Sequence, residues 1–226
     1  FDALRVPGLL AEADMRRATA GVNTHKGAIF SLGIACASLG MSWGEPFSAE
    51  HILLRCGEMT RLRMQDELEN ARQGQARTFG EQVYQKKGVG GVRAEAAGGF
   101  AGVRETALPR LNAALDAGLS LNDAALCALT ALMARTEDTN AVRRGGEAGA
   151  KAMREKAQML DSRMTAAIAA GKAQEVLDDF RHELTLWDQE LTRQHISPGG
   201  CADLLALALL MRFCREDADS SARAAK

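Results

Sequence analysis

Large apolar side chains recur at alternating spacings of three and four residues from Leu177 through Phe180, Leu184 and Trp187 to Leu191. This period puts them on one face of an α-helix, and that face must pack against other apolar surface. Only 4% of the residues are aromatic, and clusters of Val, Ile and Tyr of the kind that strands favour are few. We therefore predict an all-α, multi-helix bundle whose active site lies at junctions between helix ends.

Helix-start signals mark further helices along the chain. Ser48 precedes a helical pattern as an N-cap, and Ser120 with Asp123 has the spacing of a capping box. Ser197 and Pro198 are predicted to be the N-cap and first residue of the last helix. These signals place polar junctions between apolar helices.

Two further signals lie in the middle of the chain. Thr78 and Glu81 have capping-box spacing, and Gly88 is expected to end the short helix that they open. A later helix is expected to run to Gly118 with a bend at Pro109. No internal repeat or long linker divides residues 1–226, so we predict one domain.

Basic and acidic residues nearly cancel, 28 against 29, for a net charge of −1. No global field therefore attracts nucleic acid or an anionic membrane. No stretch approaches the roughly 18 apolar residues of a membrane-spanning helix. The five cysteines lack C-x-x-C spacing, and we interpret them as buried small apolar residues of a soluble, cytoplasmic protein.

The segment "GVNTHKGAIF" places four polar side chains directly before an apolar helical run. Capping explains Asn23 and Thr24 as well as any ligand does. His25 and Lys26 satisfy no helix amides, and a cation at a helix start opposes the helix dipole. A bound anion would relieve that repulsion, so this junction is a candidate phosphate site.

The segment "EDTN" places the adjacent carboxylates of Glu137 and Asp138 before Asn140, and Arg143 and Arg144 follow. Oxygen ligands of this type suit Mg²⁺. A solvated helix junction with surface ion pairs is the alternative interpretation.

The segment "SPGGCAD" opens the last helix. Amides near Ser197, Gly199 and Gly200 would suit a phosphate, and Asp203 lies one turn further on. Ser-Pro is also an ordinary helix start, so this signal does not by itself indicate a ligand.

Residues 88–100 contain five glycines around Arg93 and Glu95. We interpret this stretch as the most flexible and least core-like part of the chain. Its glycines could let the backbone approach a ligand while the two charged side chains project toward it, and a plain mobile loop is the alternative.

Four blocks resemble the signature of the triphosphoribosyl-dephospho-coenzyme A synthase family: "GVNTHKGAIFSLG", "GGVRAEAAGGF", "EDTNAVRRGG" and "SPGGCADLLA", in that order. Enzymes of that family take ATP and 3′-dephospho-coenzyme A, expel adenine, and join the triphosphoribosyl group to the 2′-hydroxyl of the acceptor. The resemblance implies a downstream phosphoribosyl-dephospho-coenzyme A transferase and an acyl carrier protein of citrate lyase or malonate decarboxylase as pathway partners. A homodimer is one assembly compatible with it.

The resemblance also implies roles for the polar residues. Cleavage of the glycosidic bond needs proton transfer to adenine and from the attacking hydroxyl, for which His25 and Glu95 are candidates. Glu137 and Asp138 complete the expected catalytic set and, with Asp203, are expected to hold Mg²⁺ on the triphosphate of ATP. The expected ATP-binding residues are Asn23, Thr24, Lys26, Arg93, Asn140, Arg143, Arg144, Ser197, Gly199 and Gly200.

The amino terminus departs from the family pattern. The family usually has a segment with a Pro-Gly-containing stretch and a further histidine, and here only "RVPGLL" is similar to it. The chain opens on Phe1, so we expect that segment to be missing or to lie outside this sequence. Two other functions stay open: a Mg²⁺-dependent hydrolase of nucleotides or ADP-ribose, and a non-catalytic helical protein that binds a coenzyme A-like nucleotide.

Overall fold

The computed structural model describes residues 1–75, 82, 84–85 and 90–224. These residues form α-helices and two π-helical segments, Ala71–Gln75 and Gly102–Ala107, and contain no strand, which confirms the all-α class. The described helices are α1 (Asp2–Ala18), α2 (Lys26–Met41), α3 (Ala49–Asn70), α4 (Gly91–Ala97), α5 (Leu108–Asp116), α6 (Leu121–Arg135), α7 (Thr139–Ala169), α8 (Ala173–Arg193) and α9 (Gly199–Ala224). The capping box expected at Thr78 and Glu81 and the helix end expected at Gly88 lie outside the described residues.

Two of the expected helix caps are confirmed. Ser48 Oγ accepts a hydrogen bond from the His51 amide at 3.3 Å, and Ser120 Oγ accepts one from the Asp123 amide at 3.2 Å. Each hydroxyl satisfies one of the amides that a helix start leaves without a partner.

One boundary prediction is wrong. Helix α9 starts at Gly199, and the Pro198 carbonyl accepts the Ala202 amide at 2.9 Å, so the helix begins one residue later than predicted. The bend expected at Pro109 stays a prediction: Pro109 lies in the first turn of α5, directly after the π-helical segment Gly102–Ala107.

The chain groups into two compact units, Phe1–Arg104 with Ala206–Lys226, and Glu105–Leu205. Leu53, Met64 and Phe100 are among the fully buried side chains of the first unit, and Leu132 and Phe180 among those of the second. The single-domain organisation stays a prediction. In the part of the chain that the structure describes, no helix is long and apolar enough to cross a membrane.

The apolar period that defined the eighth helix is confirmed. Leu177, Phe180, Trp187 and Leu191 are buried, with 8% exposure or less, and Leu184 is half-buried. The long helix α7 is kinked at Gly146, whose φ is +65°. The kink lets the first two turns of α7 take a direction of their own.

Of residues 88–100 the structure describes 90–100, which include α4 and the buried residues Ala96, Gly99 and Phe100, so the interpretation of this part as a loop outside the core is wrong. A Cβ at Gly57 of α3 would lie 2.9 Å from the Gly99 amide nitrogen, and Gly99 itself has a φ of +68°. Thr60 Oγ1 also donates to the Ala96 carbonyl at 3.0 Å. The glycines here allow two backbones to approach closely, because no side chain separates them.

All five cysteines are free. Cys56, Cys127 and Cys201 are buried as predicted, and burial raises the pKa of the first two thiols to about 11. Contrary to prediction, Cys36 is exposed and Cys214 is only half-buried.

Candidate active site

The first unit contains a cavity of about 610 Å³ whose wall includes residues of α1, α2, α3 and α4. Lys26 from the "GVNTHKGAIF" block and Arg93 from the "GGVRAEAAGGF" block both line it. The structure therefore brings two of the expected ATP-binding residues to one cavity, although 67 positions separate them (93 minus 26). Its volume lies in the range that binds small ligands.

Three further charged residues line the same cavity, and sequence reasoning missed them. They are Arg5, Glu12 and Glu67. The Arg5 Nη1 atom donates to Glu67 Oε1 at 2.6 Å, and Arg93 Nε donates to Glu67 Oε2 at 2.9 Å. A signal for Glu67 was available, since a helical period places this acid near the buried residues Met64 and Leu68 of α3.

Glu67 joins α1 and α4 through Arg5 and Arg93, and Arg63 of its own helix also pairs with it at 3.5 Å. Burial alone would raise the pKa of its carboxyl group, but the hydrogen bonds from Arg93 and Arg5 outweigh burial and lower the pKa below its ordinary value. The charged form is therefore favoured in the folded state. Its interactions stabilise the fold above the ordinary pKa of a glutamate, about 4.3, and that contribution is lost as the pH falls through the lowered value.

Glu67→Gln is expected to lower the free energy of unfolding by about 1–2 kcal/mol at pH 7, because three arginines lose a charged partner and two of them, Arg5 and Arg63, are 41% and 49% exposed. Urea unfolding at pH 7 and pH 3 measures this difference. The gap in unfolding free energy between wild type and variant should shrink at pH 3, which lies below the ordinary glutamate pKa of about 4.3, because the unfolded wild-type chain then binds a proton at this carboxyl group. An equal gap at both pH values would contradict the proposed ion pairs.

The "GVNTHKGAIF" junction is mainly a helix start. Asn23 Oδ1 accepts the Lys26 amide at 3.1 Å, so the capping interpretation applies to Asn23. Thr24 Oγ1 lies 2.7 Å from His25 Nδ1, and both residues are exposed. Lys26 Nζ pairs with Glu12 at 2.8 Å in the cavity wall.

Glu95 lies two residues after the cavity residue Arg93 and is half-buried. Its Oε2 atom accepts the Gly102 amide at 3.0 Å, at the start of the π-helical segment. A carboxylate held by a backbone amide keeps a fixed orientation, which a proton-transfer group needs.

Asp138 has a structural role that the sequence did not show. Its Oδ1 atom accepts the Asn140 and Ala141 amides at 2.8 and 3.1 Å, so it caps α7. Its Oδ2 atom accepts the Cys201 amide at 2.9 Å, at the start of α9. One buried carboxylate thus joins the "EDTN" and "SPGG" blocks within the second unit.

The two glycines of "SPGG" allow this approach. A Cβ at Gly200 would lie 3.2 Å from Asp138 Oδ2, and one at Gly199 would lie 2.9 Å from Asn140 Nδ2. Both positions therefore favour a residue without a side chain. The glycines of this block allow the starts of α7 and α9 to pack closely, and a contact with a phosphate would be an additional role.

The expected metal ligands are not gathered as a metal site. Across the described ranges, no group of three or more His, Cys, Asp or Glu residues could hold a metal ion. Glu137 Oε1 accepts from Arg154 at 3.1 Å, and both oxygens of Asp138 already accept amides. The three acids do not fit Mg²⁺ in this arrangement, and we derive no step through an ion held by Glu137, Asp138 and Asp203.

The remaining expected residues lie on the second unit. Arg143 and Arg144 are exposed on the first two turns of α7, and Ser197 and Asp203 are half-buried. The four blocks are thus joined in two pairs, one pair within each unit. Their convergence on one triphosphate stays a prediction.

Comparison with known proteins agrees with the resemblance of the four blocks. The model of the family described as ATP:dephospho-CoA triphosphoribosyl transferase matches residues 3–221. Two relatives from Vibrio cholerae serotype O1, strains M66-2 and ATCC 39315 / El Tor Inaba N16961, are each 39% identical over 213 residues. Each is described as a probable 2-(5''-triphosphoribosyl)-3'-dephosphocoenzyme-A synthase.

The match covers 93% of this chain and 65% of each relative, so the chain spans about 65% of the length of these curated relatives. No solved structure matches the chain.

Proposed function

The chain belongs to the ATP:dephospho-CoA triphosphoribosyl transferase family, and we propose that it moves the triphosphoribosyl group of ATP to the 2′-hydroxyl of 3′-dephospho-coenzyme A. The structural observation that carries the proposal is the cavity of about 610 Å³ to which two family-like blocks bring Lys26 and Arg93. ATP enters as its magnesium complex, so the ion arrives with the substrate.

The proposed reaction exchanges one bond for another. The 2′-oxygen of the acceptor forms a bond to C1′ of the ATP ribose, and the bond from C1′ to adenine breaks. Adenine leaves with the electron pair and gains a proton, while the attacking hydroxyl loses one, so no water is consumed. Positive charge develops on the ribose as adenine departs, and a nearby carboxylate stabilises it.

The chain offers two groups for the proton transfers. Glu95 is half-buried and held by the Gly102 amide at 3.0 Å, two residues from the cavity residue Arg93. His25 directly precedes Lys26 and interacts with Thr24 at 2.7 Å. We assign proton transfer to these two groups and contacts with substrate phosphates to Lys26.

The product would be the precursor of a prosthetic group. A downstream phosphoribosyl-dephospho-coenzyme A transferase would attach it to the acyl carrier protein of citrate lyase or malonate decarboxylase. A cytoplasmic location belongs to this proposal, and the five free cysteines are compatible with a reducing compartment.

The test follows adenine release by liquid chromatography in reactions with Mg·ATP, with and without dephospho-coenzyme A. The proposal predicts that adenine appears in step with consumption of the acceptor and scarcely at all without it. Adenine or phosphate released without acceptor would indicate a hydrolase instead. Calorimetry that detects tight binding of either substrate without turnover would indicate a binding protein.

A further inference from the structure

The cavity of the first unit is largely apolar. Its wall includes Leu4 and Pro7 of α1, Phe30 and Ile34 of α2, Met64 of α3 and Val92 of α4. Apolar walls with a few polar groups favour a ligand that is itself mostly uncharged.

The charged groups of the cavity are already paired with each other. Arg5 and Arg93 both donate to Glu67, at 2.6 and 2.9 Å, and Lys26 pairs with Glu12 at 2.8 Å. A triphosphate placed inside would meet two carboxylates as well as the cations, and its charge would be repelled by both acids. A neutral chain whose amide groups accept from the arginines and donate to the acids would meet no such repulsion.

One face of α2 leaves room for a slender ligand. Gly33 lines the cavity between Phe30 and Ala37, and a Cβ built on Gly33 would meet nothing within 4 Å. Gly8 of α1 also lines the cavity, and a Cβ built on Gly8 would likewise meet no atom within 4 Å. Open space therefore lies next to both helices where side chains are absent.

We propose that this cavity holds the pantetheine arm of the acceptor, an aliphatic chain with two amides and a terminal thiol. The assignment rests on the proposed function and adds to it a binding site for the acceptor. Lys26 lies at the start of α2 and is 44% exposed, so it can meet the diphosphate of the acceptor at the end of the arm. The triphosphate of ATP then binds outside this cavity.

A cavity-filling variant tests the assignment through kinetics. Gly33→Leu should raise the KM for dephospho-coenzyme A at least about tenfold and leave the KM for ATP unchanged, because only the arm would lose its space. Gly40→Leu is the matched control: Gly40 lies on the same helix, is exposed, and also has nothing within 4 Å of a built Cβ. Leucine favours a helix more than glycine does, so both variants should fold. A Gly33→Leu variant that raises the KM for ATP instead would overturn the assignment.

A second test needs no turnover. Cys36 is an exposed free thiol in the cavity wall, whereas burial raises the pKa of Cys56, Cys127 and Cys214. Iodoacetamide should therefore alkylate Cys36 first, and peptide mass spectrometry measures the rate at each site. S-methyl-pantetheine, whose own thiol is blocked, should slow alkylation of Cys36 several-fold, and ATP should not.

The outcomes separate the two proposals. Protection of Cys36 by ATP alone, or by neither compound, would overturn the arm assignment even if adenine release depends on the acceptor. Protection by S-methyl-pantetheine in a protein that releases no adenine would support the arm assignment and contradict the proposed function. In Gly33→Leu, the protection by S-methyl-pantetheine should disappear, and in Gly40→Leu it should persist.

Discussion

Replacing Asp138 with asparagine is expected to lower the free energy of unfolding by roughly 2–4 kcal/mol. The amide oxygen of asparagine can keep the two bonds from the start of α7, but its NH₂ group would then face the Cys201 amide, which donates to Asp138 Oδ2 at 2.9 Å in the native protein. Two donors would meet at a buried position, and one amide would lose its acceptor. Urea unfolding at neutral pH measures the loss.

The neighbouring variant Glu137→Gln is the control for this experiment. Glu137 is exposed and pairs with Arg154, a side chain that is 32% exposed, so its replacement should cost less than about 1 kcal/mol. An Asp138→Asn protein as stable as wild type would contradict the capping role. If such a stable variant also needed far more Mg²⁺ for half-maximal turnover, the original expectation of a metal ligand would be restored.

Replacing Glu95 with glutamine is expected to reduce turnover by about 10²–10⁴-fold while ATP binding is retained. Glutamine keeps the size of the side chain, and its carbonyl oxygen can still accept the Gly102 amide, which lies 3.0 Å from Glu95 Oε2. The fold should therefore persist while the group that transfers a proton is lost. Single-turnover adenine release, together with calorimetry of ATP binding, measures both effects.

Glu58→Gln serves as the matched control, because Glu58 is an exposed glutamate of α3 in the same unit. The Glu58→Gln variant should release adenine and bind ATP about as the wild type does. The assignment of Glu95 would be wrong if its variant lost ATP binding but kept normal single-turnover chemistry.

Local signals in the sequence were sufficient for several of the helices, though not for α1 or α4. The caps at Ser48 and Ser120 and the apolar face from Leu177 to Leu191 depend on residues within a few positions of each other, and the structure confirms them. Helix formation depends on such local patterns, so one sequence can show them.

The role of Asp138 could not be read in the same way. A carboxylate before a helix looks the same in sequence whether it caps one helix, joins two or binds a metal ion. Its bond to the Cys201 amide spans 63 positions, and only the folded chain shows it. The bond from Arg5 to Glu67 spans 62 positions and was missed for the same reason.

The glycines near Gly99 were misinterpreted for a different reason. Glycine serves both flexible loops and close helix packing, and composition does not distinguish the two. The contact with Gly57 distinguishes close packing from a loop, because a Cβ built on Gly57 would lie 2.9 Å from the Gly99 amide nitrogen. That contact joins segments 42 positions apart (99 minus 57), beyond the reach of a local pattern.

The most direct measurement of the proposed transfer uses ATP that carries one isotopic label in the ribose and another in the γ-phosphate. After reaction with dephospho-coenzyme A, mass spectrometry of the isolated acceptor should show both labels on one molecule, with unlabelled adenine released. Acceptor that carries neither label, or the phosphate label without the ribose label, would contradict triphosphoribosyl transfer by this protein.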